Sequence, residues 1–281
     1  MFIRKPPSPL AGEGWGEGEP SKERGSVTNY DPTEIMAVLA ARSLKDGQVV
    51  FAGAGVPIVS SLAAQKLHAP SLTILFEVGA VAPIVEIGRI PSSANESRSA
   101  YGSVMLPSTT ETLLFCQRGF VDVGFLGGAQ IDKYGNLNTS IIGKWDHPKV
   151  RMPGSGGAND IASSTHFLIV TWHEKMRFVE KVDFITSPGY LQGGNSRREA
   201  GLVGGGPLQV ITHLGILGFD PDLKEMVLTS VHPGVDPKEV RANTGWDLKV
   251  APDLSVTVPP TEEELDLFRR LDPERRFLKV K

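Results

Sequence analysis

From Asp31 onward the chain alternates two hydrophobic patterns, one of helical period and one of short apolar runs. Residues 31–45, "DPTEIMAVLAARSLK", place Ile35, Val38, Leu39 and Ala40 on one helical stripe. Asp31 can cap this helix, Pro32 suits its first turn, and Glu34 completes a capping box. The run "QVVFAG" then reads as a strand, "AGAGVP" as a glycine turn and "IVSSLAAQKLHA" as a helix. The same order returns with a strand in "LTILFE", a long polar stretch, a helix in "STTETLLFCQRGF" capped by Ser108 with Glu111, and a strand in "VDVGFLGG". Further strands are expected at "HFLIVT", "VDFIT", "LQVIT" and "EMVLTS", and a last capped helix at "TEEELDLFRRL". Strands rich in Val, Ile, Leu and Phe that alternate with helices predict an α/β fold, a mostly parallel open sheet with helices on both faces.

Residues 1–28 break this pattern. They carry Pro, Gly, Glu and Ser in bulk, cannot repay the entropy of ordering, and are expected to be a disordered tail or the product of a start codon placed upstream. No linker or internal repeat follows, so residues 29–281 are expected to form one domain. With 40% hydrophobic residues that domain has ample material for a core.

Charge narrows the partners. Lys and Arg number 29 against 32 Asp and Glu, with no basic run beyond short pairs, which argues against a nucleic-acid or anionic-membrane surface. No apolar run reaches the roughly 18 residues that cross a bilayer, and the start lacks a signal pattern, so a cytoplasmic protein is expected. The single cysteine, Cys116, sits in "TLLFCQRGF" and reads as a small buried thiol. His68, His147, His166, His173, His213 and His232 lack the spacing of zinc sites, and no Gly-x-Ser-x-Gly elbow occurs. No metal is expected.

Four stretches go beyond what a core requires. Gly53 to Pro57, "GAGVP", could turn backbone N–H groups toward an anion, although a tight turn explains it as well. Glu77, in "LFEVGAVAP", stands at the carboxyl end of an apolar strand, the edge where open α/β sheets bind ligands. Its carboxylate serves either chemistry there or a nearby helix N-terminus or basic side chain. The stretch 124–140, "GFLGGAQIDKYGNLNTS", gathers amide, hydroxyl and acidic groups after a Gly-Gly turn, and a hairpin on "KYGN" accounts for part of it. Met152 to Ser164, "MPGSGGANDIASS", leads a glycine nest into a short helix whose first N–H groups are free to bind an anionic oxygen.

Taken in order, "LFEVGAVAP", "VDVGFLGGAQIDKYGNLNTSIIG", "HPKVRMPGSGGANDIASS", "WHEKMRFVEKVDFITSPGY" and "HPGVDPKEVRANTGWDL" resemble the β subunit of family I coenzyme A transferases, of the glutaconate CoA-transferase type. The resemblance covers the chain from about Asp31 to near its end and implies the CoA-transferase β-subunit fold. It implies that Glu77 and Gly79 form the family's E-x-G motif, with Glu77 the catalytic nucleophile. It also implies that Gly154, Ser155, Gly156, Gly157, Ala158 and Asn159 form the GxGGA loop beside the glutamate and the thioester, and that Gly127, Gly128, Ala129 and Gln130 line the cleft. Coenzyme A then enters as a substrate moiety, with no permanently bound cofactor. The implied partners are an α subunit in an (αβ)n hetero-oligomer, an acyl-CoA and a carboxylic acid.

Val78 departs from the small residue that often follows the glutamate, which bears on pocket width and leaves the nucleophile intact. Relatives that lack the glutamate hydrolyse or decarboxylate CoA thioesters. A hydrolase or decarboxylase on the same scaffold, or a non-catalytic partner subunit, are the alternatives.

Overall fold

The computed structural model describes residues 29–53, 55–93, 96–202 and 204–279, so the tail expected over residues 1–28 lies outside the described residues. The chain runs α1 (Pro32–Arg42), β1 (Val49–Phe51), α2 (Val56–Leu67), β2 (Thr73–Leu75), α3 (Thr109–Gln117) and β3 (Val123–Leu126). Two hairpins follow, β4 (Gln130–Ile131) with β5 (Leu137–Asn138) and β6 (Ile141–Gly143) with β7 (Pro148–Arg151). Then come α4 (Ala158–Ser164), β8 (His166–Val170), α5 (Ser196–Glu199), β9 (Gly206–Ile211), β10 (Gly215–Phe219) and β11 (Met226–Val231), and lastly α6 (Pro237–Ala242), β12 (Lys249–Val256) and α7 (Glu262–Leu271).

Local chemistry sets the helix starts. Asp31 Oδ1 accepts from the N–H groups of Thr33 and Glu34 at 2.8 and 3.0 Å, while Glu34 accepts from Asp31 N–H at 3.0 Å. Ser108 with Glu111 and Thr261 with Glu264 repeat the box at α3 and α7. Each such cap contributes about 1 kcal/mol.

Eight strands form one sheet in the order β12-β11-β10-β9-β8-β3-β1-β2. The run from β2 to β9 is parallel, β10 is antiparallel to both neighbours, and β12 is parallel to β11. Period-two alternation divides the core between the two faces. Val50, Ala52, Ile74 and Phe76 bury on the face covered by α1, α2 and α7. Phe51, Leu75, Phe167 and Ile169 bury on the other, with Cys116 of α3 and Ile161 of α4. Burial pushes the Cys116 thiol pKa up to about 12, so it is a core thiol.

One expected strand is absent. Residues 182–186, "VDFIT", run as irregular chain, because polar side chains claim the segment before a ladder can form. Asp183 Oδ2 accepts from Gln130 Nε2 at 3.0 Å and from Gly143 N–H at 2.9 Å, and Thr186 Oγ1 accepts from Thr139 N–H at 2.9 Å. Phe184 and Ile185, the residues that suggest a strand, remain 37% and 38% exposed.

The β8–β12 half buries three imidazoles: His173 and His232 fully, His213 in part. His173 stacks on Phe178 at 3.9 Å and hydrogen-bonds through Nε2 to Thr244 Oγ1 at 2.9 Å. Burial, with a smaller contribution from His213, brings its pKa down to about 3, and burial also lowers those of His213 and His232. In the unfolded chain these groups titrate near 6.5. Below that pH the unfolded state takes up protons that the folded state refuses, so the stability is complete above about pH 6.5 and declines as pH falls toward about 3. His173 alone should lower the unfolding free energy by about 2 kcal/mol between pH 7 and pH 5. Urea denaturation of the isolated chain should show this slope, and His173→Phe should reduce it. Thr244 keeps its own bond to Val240 O in that variant. Identical slopes in the two proteins would refute the assignment.

Candidate functional site

Glu77 opens the turn that ends β2. Phe76 N–H donates to Ala80 O and Gly79 N–H to Phe76 O, both at 2.9 Å, which folds the chain back so that Val81 bridges Leu75. The turn needs Gly79 for two reasons. Its φ is +104°, and a Cβ would lie 1.7 Å from Pro107 O. Pro107 precedes Ser108, the cap of α3, so Gly79 lets the start of α3 close on the turn.

The second component arrives from 80 residues away. Gly157 N–H donates to Glu77 Oε1 at 2.9 Å. The approach is close, since a Cβ on Gly157 would stand 3.0 Å from Oε1 and 2.9 Å from Leu113 Cδ2, so a side chain here would push on both. Gly154 and Gly156 hold φ of +95° and +53°, the left-handed backbone that curls the loop over the carboxylate. Gly154 N–H is tied to Thr139 O at 3.0 Å, and Ser155 O accepts from Ala158 N–H at 3.0 Å. Among the described residues the N–H groups of Ser155 and Gly156 meet no acceptor.

Glu77 is half-buried, and among the described residues no basic side chain pairs with it and Oε2 has no hydrogen-bond partner. A carboxylate with one oxygen held and the other free can attack an electrophile or accept a proton. Val78 is partly buried and packs against the core cluster that α1, α2 and α7 share with the sheet.

The remaining expected residues divide. Gly127 and Gly128 follow β3, on the same carboxyl edge as Glu77 but with β1 between, about two strand spacings or roughly 10 Å away. Gly53 and Gly55 follow β1, the strand that lies between β2 and β3. Gly128 O accepts from Arg177 Nη1 at 2.5 Å, and Ala129 N–H donates to Asn138 O at 2.9 Å. Gln130 is committed to the scaffold. It is 6% exposed, and its amide is spent on Asp183 Oδ2, Asp183 N–H and Asn138 Nδ2 at 3.0, 3.1 and 2.7 Å. Asn159 accepts from Ser163 Oγ at 3.4 Å, one turn along α4. Sequence reasoning does not find Leu113 or Pro107, which shape the site; neither carries a signal beyond being an ordinary apolar and a pre-helix residue.

The carboxylate keeps part of its surface open to solvent in the single chain. A 620 Å³ cavity is lined by Ile84, Arg89 and Tyr101 among others, and a 280 Å³ one by Leu75, Met105 and Phe120 among others; Glu77 lines neither.

The model of the Coenzyme A transferase family matches residues 33–243. The chain is 39% identical to the B-subunit of 3-oxoadipate CoA-transferase from Pseudomonas knackmussii, over 88% of this chain and 95% of that protein. It is 37% identical to the B-subunit of glutaconate CoA-transferase from Acidaminococcus fermentans, over 90% and 97%. The crystal structure of the glutaconate coenzyme A-transferase of that organism superposes with a TM-score of 0.83 at 36% identity, covering 90% of this chain and 99% of the matched one.

The turn geometry is testable through stability. Gly79→Ala should cost more than about 3 kcal/mol in chemical denaturation, because strain and overlap with Pro107 O add. Gly47, with φ +76° and open space around it, isolates the strain. Gly47→Ala should cost about 1 kcal/mol. Equal losses would show that Pro107 does not press on Gly79.

Proposed function

We propose, from the premise that this chain belongs to the coenzyme A transferase family, that it is the β subunit of a heteromeric CoA-transferase in which Glu77 carries CoA as a glutamyl thioester. The observation that carries this reading is a half-buried carboxylate at a sheet edge, free of any ion pair among the described residues and held by a single backbone N–H.

In this mechanism Glu77 Oε2 attacks the thioester carbonyl of an acyl-CoA, and the C–S bond breaks to release CoA thiolate and leave an acyl-glutamyl anhydride. The thiolate adds to the glutamyl carbonyl and expels the acyl group as a carboxylate, leaving glutamyl-CoA. An acceptor carboxylate then attacks that thioester, and the thiolate returns to the new acyl carbon, restoring Glu77. No proton is consumed.

The Gly157 N–H has a role in each half. It orients Oε1 in the resting carboxylate; when thiolate or acceptor adds to the glutamyl carbon, Oε1 bears the developing negative charge. A donor so placed lowers the barrier by about 3 kcal/mol. The free N–H groups of Ser155 and Gly156 are available to the acyl oxygen.

An anhydride exposed to water would hydrolyse, so the open edge around Glu77 calls for a cover. The partner in this reading is an α subunit within an (αβ)n assembly, as the relatives suggest, each being named as one subunit of its transferase. Oxoadipate and glutaconate, named in those relatives, are dicarboxylates, which makes a dicarboxylic acid the preferred acceptor class.

In the assembled complex Glu77→Ala should lower kcat at least about a thousandfold with assembly unchanged. After acyl-CoA and borohydride, mass spectrometry should place a reduced tag on the peptide containing Glu77. Turnover that survives the substitution, or release of free acid and CoA in place of exchange between labelled acids, would overturn the proposal.

A further inference from the structure

Arg197, on α5, is 5% exposed, yet among the described residues no carboxylate pairs with it. Its Nε donates to Gly204 O at 2.9 Å, Nη1 donates to Pro188 O and Gly189 O at 3.1 and 2.9 Å, and Nη2 donates to Ala162 O in α4. Burial holds the guanidinium pKa below the usual arginine value. A buried cation without a counter-ion is a cost that packing alone does not demand, since an apolar side chain of similar size would fill the space. What the guanidinium adds is geometry. Its rigid fork of donors holds three chain segments together, and Ala162 O belongs to the carbonyl-rich end of α4, where a cation is favoured.

The segment it grips carries the donor to Glu77. Ala162 is five residues, about 7.5 Å of helix axis, from Gly157. α4 is pressed flush on two more sides: a Cβ on Gly124 would come 2.3 Å from Ile161 Cγ2, and one on Gly204 would come 2.3 Å from the Ser164–Thr165 peptide. The segment holding Pro188 and Gly189 is anchored in turn, since Gly189 N–H donates to Asn136 Oδ1 at 2.9 Å.

We infer that Arg197 is a positioning residue for the transfer reaction, clamping α4 so that the Gly157 N–H stays aimed at Glu77 Oε1. The inference rests on the reading of Glu77 as nucleophile. Arg197 touches neither Glu77 nor, in this reading, any substrate, so its effect falls on the chemical step and not on acyl-CoA binding.

The test uses the full complex with its partner subunit. Arg197→Lys keeps the charge and loses the fork; kcat should fall tenfold or more while KM for acyl-CoA stays within about twofold. Gly204→Ala, which pushes on the end of α4 without touching the charge, should show the same split. Val240→Ala, a cavity variant elsewhere in the core, controls for lost stability and should leave kcat unchanged. Unchanged kcat in assembled Arg197→Lys, or a kcat loss equal to that of Val240→Ala, overturns the inference. Amide hydrogen exchange of the wild-type complex gives a readout that needs neither variant nor turnover: residues 161–165, whose N–H groups are bonded along α4, should be protected to the same degree as residues 189 and 204, and faster exchange at 161–165 overturns the clamp. A wild-type complex without acyl exchange would instead refute the transferase reading and leave the exchange result standing.

Discussion

The hydrogen bond from Gly157 to Glu77 is the constraint around which the rest of the chain is arranged. It joins two segments 80 residues apart, and a side chain at its donor would press on Glu77 and Leu113. Such a contact cannot be made by local propensity. It needs β2 and α4 delivered to one point by a sheet whose order places β1 and β3 between β2 and β8, and it needs α4 seated directly on β3. Gly79 and Gly124 each permit one of these close approaches, and a methyl group at either would push the parts apart, while one at Gly157 would crowd Glu77 and Leu113.

The half-buried state of Glu77 follows from opposing demands. Full burial would cost several kcal/mol for the ionised form, whereas full exposure would leave both carboxylate oxygens hydrated and weaken the hold of a single N–H donor. One N–H contact and one free oxygen lie between these limits. The balance is unfinished in the single chain, because the carboxylate is only half-buried at the sheet edge. A partner surface that dries this edge would strengthen the Gly157 contact electrostatically as it excluded solvent.

Much of this is legible in the sequence, and the failures have physical causes. The three capping boxes, the parallel strands and Glu77 at a strand end follow from local rules, and all of them are present. β10 escapes such rules because "GILGF" carries two glycines, and β12 because Pro252 and its mostly exposed residues, without period-two burial, resemble a loop; both are stabilised by pairing that no local pattern announces. The reverse error, a strand at "VDFIT", arises because Val182, Phe184 and Ile185 carry the right propensity while the side chains of Asp183 and Thr186 accept from the Gln130 amide and the backbone N–H groups of Gly143 and Thr139. Tertiary hydrogen bonds outweigh a propensity whose whole range is about 1 kcal/mol.

The polar run 130–138 shows why side-chain chemistry and function are easily confused. Its amides and carboxylate read equally as a ligand-binding loop, yet Gln130, Asp132, Asn136 and Asn138 are all buried and bonded to one another or to nearby backbone. Asp132 accepts from Tyr134 and Asn136 while burial raises its pKa, so it is held by hydrogen bonds without a cation. A satisfied network of this kind is directional where an apolar core is not, and partial disruption would leave orphaned polar groups, each costing about 1–3 kcal/mol. It fixes the hairpin that follows Gly127–Gly128 and, through Asn136 and Gly189, the segment that Arg197 grips. The side chains that look most like ligands thus set the backbone, while among the described residues the N–H groups of Ser155 and Gly156 in the glycine loop are left without an acceptor.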